Sequence, residues 1–130
     1  MAFNIYSVDE AKQSEGTWVE FEGSEFCIAY ANNPTFLKEK KRLERPFKRQ
    51  IERGTMNEED QRRITCEALA TGVLVDWKNV TDGKKEIPYS KEIATEALRL
   101  NPDLLGFVVE VAADIANYKK EDVEATASKS

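Results

Sequence analysis

The sequence predicts a mainly α protein: a small domain of four to five helices with an N-terminal β-hairpin packed on it. Three observations lead there. Helix-start signals recur at Asn33-Pro34, at Asn57 before three acidic residues, at Ser90 and at Asn101-Pro102, each followed by apolar residues at helical spacing. One early stretch, TWVEFEGSEFCIAY, alternates instead, as a half-buried strand pair does. The 130 residues suit one domain, able to bury about two-thirds of its unfolded surface without a metal or disulfide.

In the hairpin, Val19 and Phe21 alternate with Glu20 and Glu22, and Phe26, Ile28 and Tyr30 continue after the turn. Gly23-Ser24 reads as a two-residue loop with Gly at the first central position. That register sets Phe21 against Phe26 and Val19 against Ile28 on one face, with Glu22 facing Glu25. A lone hairpin is marginal in water, so helices should cover it.

Asn33 caps the next helix and Pro34 opens it. It runs through TFLKEKKRLERPFKRQIER to Gly54, with Phe36, Leu43, Phe47 and Ile51 as its apolar stripe. Pro46 lacks the donor that would bond the carbonyl of Arg42, so two helical pieces sharing one face are expected. Asn57 caps a helix with Glu58, Glu59 and Asp60 in its first turn, where the dipole favours them. Its run ALATGVLV is apolar all round, as in a central helix, and is read as continuing to Trp77. Gly72 inside it costs up to about 1 kcal/mol relative to Ala, which a close helix contact would justify. Ser90 caps a helix carrying Ile93, Ala97 and Leu100. Asn101-Pro102 caps a last one, DLLGFVVEVAADIANY. Residues 1–15 read as an acidic, loosely ordered leader with one short ordered piece, 16–118 as the single domain, and 119–130 as a polar flexible tail.

Chemistry is sparse. Histidine is absent and the two cysteines, Cys27 and Cys66, are far apart. No metal ligand set, cofactor motif, Gly-rich phosphate loop or nucleophile–base pair can be drawn, and buried, reduced thiols are expected. The net charge of −5 gives no global pull toward nucleic acid or anionic membrane. No signal peptide or spanning apolar run is visible, so cytosolic residence is expected.

The loop 78–89 offers Lys78, Asp82, Lys84, Lys85 and Glu86. These are an acid/base pair or a phosphate grip on one reading, and a solvated corner on the other. The corner is preferred. Trp77 is its structural anchor, with Tyr89 and Ile87 tucked beneath it. Two features invite a partner. Residues 34–53 hold eight Lys and Arg against three Glu, a local charge of +5 in an acidic chain. Lys38, Arg42, Arg45 and Arg49 share the face opposite Phe36, Leu43 and Phe47. That face is solvated surface, a protein-binding surface or, least favoured by the overall charge, a nucleic-acid contact. On the last helix, Phe107 falls among Asp103, Glu110, Asp114 and Asn117. It is either covered by the hairpin or tail, or an exposed contact for a partner or second copy.

The order GTWVEFEG, FCIAY, NNPTFLKEKKRLERPFKRQIERG, CEALATGVLVDWKNV, IPYSKEIATEAL and LLGFVVEVAADIANY resembles the tail assembly chaperones of long-tailed, siphophage-type bacteriophages across about residues 16–118. The most specific part is the corner Trp77-Lys78-Asn79-Val80 followed by Ile87-Pro88-Tyr89-Ser90. The resemblance implies a protein without catalytic residues or cofactor that binds the tape measure protein, keeps it soluble, and helps tail tube protein polymerise around it. It also implies action in the host cytoplasm, absence from the mature virion, and often a longer frameshifted form for which the polar tail would be a linker. Self-association is left open. The alternatives are a virion component, such as a head–tail connector or minor tail protein, and a small nucleic-acid-binding regulator.

Overall fold

The computed structural model describes residues 2–120. In chain order the elements are α1 (Glu10–Glu15), β1 (Thr17–Phe21), β2 (Ser24–Ile28), α2 (Pro34–Glu44), a 3₁₀ turn (Arg45–Phe47) and α3 (Lys48–Arg53). Then come α4 (Glu58–Gly72), β3 (Leu74–Lys78), α5 (Lys91–Leu100), α6 (Pro102–Ala113) and a second 3₁₀ turn (Ile115–Tyr118). The protein is mainly α with a small antiparallel sheet of order β1-β2-β3. One sheet face, with α4, α5 and α6, encloses a core of Phe26, Ile28, Leu74, Trp77, Leu98 and Val108.

The third strand replaces the expected end of the central helix. α4 stops at Gly72, and Leu74–Lys78 pairs with β2. Cys27 is opposite Asp76 but Ile28 is opposite Leu74, so Val75 is the extra residue of a β-bulge. In a regular strand Leu74 and Trp77, three apart, would face opposite sides. The bulge returns both to the core, where both are buried. A spacing of three is also what a helix face shows, which is why the pattern reads as helix.

The hairpin forms one step away from its expected register. Val19 lies opposite Phe26, Thr17 opposite Ile28, and Phe21 opposite Ser24. The turn is Glu22-Gly23, with φ of 49° and 85°. Positive φ at both central residues is the type I′ requirement, and its twist suits the strands. The shift moves every pairing by two, so the same residues still face inward. The opposed carboxylates are Glu20 and Glu25 rather than Glu22 and Glu25.

Three of the four expected caps form; Asn101 caps nothing and instead donates its amide back to the carbonyl of Ala97. Asn33 accepts from Phe36 N–H, Asn57 from Glu59 N–H and Ser90 from Ile93 N–H. Asn33 does more: its buried amide donates to the carbonyls of Tyr30 and, at 2.8 Å, Gly72. It thereby ties the start of α2 to the end of α4. A Cβ at Gly72 would stand 2.5 Å from the Phe36 backbone nitrogen, so the glycine permits the close α2–α4 crossing. Pro46 sits in the 3₁₀ turn that separates α2 from α3. That tighter turn rotates α3, and Ile51, expected on the shared stripe, remains 41% exposed.

α6 ends at Ala113, five residues before the expected Tyr118. Asp114 turns extended and caps the 3₁₀ turn by accepting from Ala116 N–H. Tyr118 is wholly buried and donates its hydroxyl to Ile28 O at 3.0 Å. The leader divides. Phe3, Ile5 and Tyr6 are exposed, whereas Ser7–Glu15 is fastened. Asp9 N–H donates to Tyr118 O and Lys120 N–H to Ser7 O, both at 2.8 Å, and Asp9 caps α1. Residues 121–130, most of the expected tail, lie outside the described residues.

Candidate partner-binding site

The cationic arm is α2, the 3₁₀ turn and α3. Phe36, Leu43 and Phe47 are half-buried and seat it, and the Arg63 guanidinium lies 5.8 Å over the Phe47 ring. Lys38, Arg42, Arg45 and Arg49 are all exposed, but they are not equivalent. Arg42 pairs with Glu39, which also meets Lys91 of α5 at 3.1 Å and Thr71 of α4 at 3.2 Å. The hydrogen bond from Arg42, with those from Lys91 and Thr71, holds the Glu39 carboxyl at about 2 against the desolvation that opposes it. Arg42 therefore helps to fix the arm. Lys38, Arg45 and Arg49 enter no ion pair among the described residues. Beside them Leu37 is 43% exposed, in a shallow depression with Lys38, Lys40, Lys41 and Glu44. These three cations share the arm with the exposed Leu37 and Ile51, so the arm offers both positive charge and apolar area.

Trp77 and Tyr89 do meet, though within a strand-to-helix connection rather than between two helices. Trp77 is 5% exposed and sits edge-on to Phe26 and to Tyr89, with ring centres at 6.3 and 5.3 Å. Its Nε1 donates to Ile87 O at 2.9 Å. The Tyr89 hydroxyl lies 2.8 and 2.7 Å from the carbonyls of Ala70 and Leu74 and pins the α4–β3 junction. Burial pushes this phenol up to about 12, so it serves as a donor. In the connecting loop, Asp82 accepts backbone N–H bonds from Lys85 and Lys84, which lower its carboxyl and shape the turn. Cys27 and Cys66 are free and buried, and desolvation raises both thiols.

Phe107 is the clearest correction among the candidate contacts. It is half-buried and stacked on Phe21 of the hairpin, ring centres 4.6 Å apart. The hairpin covers this side of α6, so Phe107 is packing within the chain and not an exposed contact.

One surface escaped the sequence reading. A groove of about 680 Å³ opens between the hairpin tip, the loop after β3, and α5–α6. Its floor is apolar, and Glu22, Asp82, Glu96 and Asp103 line its edge. They come from four separate segments, and no local pattern joins them. Among the described residues no cluster of His, Cys, Asp or Glu is placed to hold a metal, and no helix is long and apolar enough to cross a membrane.

No curated protein and no solved structure matches the chain. The family model described as YdaY prophage protein matches residues 31–129, from the end of the sheet's central strand through the arm, α4, β3, α5 and α6. Because that match spans most of the sequence, the chain belongs to the YdaY prophage protein family and is a phage protein.

Proposed function

We propose that this phage protein is a non-enzymatic tail assembly chaperone that binds the tape measure protein in the host cytoplasm and promotes assembly of the tail tube around it. The observation that carries the reading is the arm: Lys38, Arg45 and Arg49 stand exposed and unpaired among the described residues, beside Leu37 and Ile51. A chaperone of a long helical client gains from charge that captures at range and apolar contact that adapts. The resemblance of the Trp77–Val80 and Ile87–Ser90 segments to tail assembly chaperones and the prophage family membership support the same reading.

The test is co-expression with the tape measure protein of the same phage, followed by pull-down. Arg42 is left unchanged because it holds Glu39. Wild type should recover the client. The variant Lys38→Glu/Arg45→Glu/Arg49→Glu should keep its circular dichroism spectrum and recover far less, with the gap widest at low salt where screening is least. Equal recovery by a folded variant would remove the arm from client binding. No recovery by wild type, with the protein found in purified particles, would favour a head–tail connector or minor tail protein.

A further inference from the structure

We infer that the acid-edged groove is a docking site for the cationic arm of a second copy of this chain. The groove floor combines buried Phe26 and Trp77 with Ile93 and Leu100, which are 40% and 58% exposed. Exposed aliphatic side chains over a concave apolar floor suit a partner that is itself partly apolar. The edge selects the sign of that partner. Glu22, Asp82, Glu96 and Asp103 are all exposed, and the lining contains no Lys or Arg. Only Glu96 has an ion pair among the described residues, a weak one at 3.9 Å to Arg99.

The chain carries the matching surface. The arm presents Lys38, Lys40, Lys41, Arg45, Lys48 and Arg49 to solvent. Leu37 and Ile51, exposed to a similar degree as Ile93, are available for the floor. The arm cannot fill the groove of its own chain, because Asn33 fastens it to Gly72 and Glu39 fastens it to Lys91, and the two surfaces share no residue. Contact between copies then sets the groove of one on the arm of the next. It closes as a two-fold dimer where both pairs form at once and otherwise propagates into a ring or an open chain. The arm is also the proposed client contact, but this inference stands without that reading because the purified protein alone tests it.

The experiment is sedimentation velocity over a concentration series at low salt and at about 1 M salt, where the Debye length is about 3 Å. Wild type should associate at low salt and fall apart at high salt. The groove variant Glu22→Lys/Glu96→Lys and the arm variant Arg45→Glu/Arg49→Glu should each remain monomeric, with apparent affinity reduced roughly tenfold or more. An equimolar mixture of the two should associate again, since the intact arm of one variant meets the intact groove of the other and the reversed arm meets the reversed groove. Leu100→Ser, an exposed change that leaves every charge of the pair in place, should also weaken association and serves if a charge variant fails to fold. Wild type that stays monomeric at every concentration overturns the inference, as does association that survives in the groove variant. A mixture that stays monomeric overturns it too. Failure here leaves the client pull-down untouched, and failure of the pull-down leaves this result untouched.

Discussion

Replacing Trp77 by Ala should remove a side chain that ties β3 to the connection leading into α5. The indole is 5% exposed, sits edge-on to two aromatic rings, and donates one hydrogen bond to Ile87 O. Truncating a buried Trp costs about 3–5 kcal/mol. The lost hydrogen bond contributes about 1 kcal/mol of that, so the upper half of the range is expected. For a domain of this size, the thermal midpoint should fall by roughly 10–20 °C. Trp77→Phe keeps most of the apolar volume but not the donor and should cost about 1–2 kcal/mol. Trp18 supplies the comparison. It is 41% exposed and lies against Lys78, whose ammonium is 4.2 Å from the ring centre. Trp18→Ala should cost about 1 kcal/mol or less. Urea titration followed by circular dichroism ranks the three. A Trp77→Ala protein no less stable than Trp18→Ala would refute the argument that this ring holds the β3–α5 connection.

Gly72→Ala should destabilise by about 1–3 kcal/mol even though Ala is the better helix former, because its Cβ meets the Phe36 backbone, which yields only if α2 lifts from α4; urea midpoints of the two proteins check this. Glu39→Gln should lower stability at neutral pH. The Glu39 carboxyl is held at about 2, below its unfolded value near 4.5, so its contribution is complete above that value and lost as pH falls through about 2. The gap between wild type and Glu39→Gln in urea midpoint should thus be constant from about pH 6 to 8 and narrow below about pH 4. A gap that does not change with pH would mean that the amide loses packing rather than charge.

Helix starts were legible because their signal is local. Asn33, Asn57 and Ser90 each act through a hydrogen bond to a residue two or three places on, and that geometry is written in adjacent residues. Pro46 was legible for the same reason. β3 was not, because nothing within Leu74–Lys78 demands a strand; the open edge of β2, distant in sequence, recruits it, and a bulge hides the alternation. The turn at Glu22-Gly23 was misplaced by one residue because a non-Gly residue accepts positive φ there. Of the candidate contacts, Lys38, Arg45 and Arg49 were visible as a charge cluster, while the engagement of Arg42 depends on Glu39, Lys91 and Thr71 coming together. Phe107 could not be assigned without its partner Phe21, far back in the chain.

The clasp between Ser7–Asp9 and Tyr118–Lys120 has a consequence for the order in which the chain folds. Its two halves are more than 100 residues apart, and the second is among the last of the described residues to be synthesised. During translation the hairpin, arm and α4 emerge first and can pair locally. α1 meanwhile has no carbonyl of Tyr118 to bind, and Ile28 O has no Tyr118 hydroxyl. Closing so long a loop is entropically slow and comes late. A nascent chain should therefore present a nearly complete helical domain with Ser7–Lys12 and Ile28 incompletely covered, and reach its final protection from exchange only once Lys120 has cleared the ribosome. Pulse-labelled hydrogen exchange on released chains, truncated just before Tyr118 and just after Lys120, would show that last step as a gain of protection at Asp9.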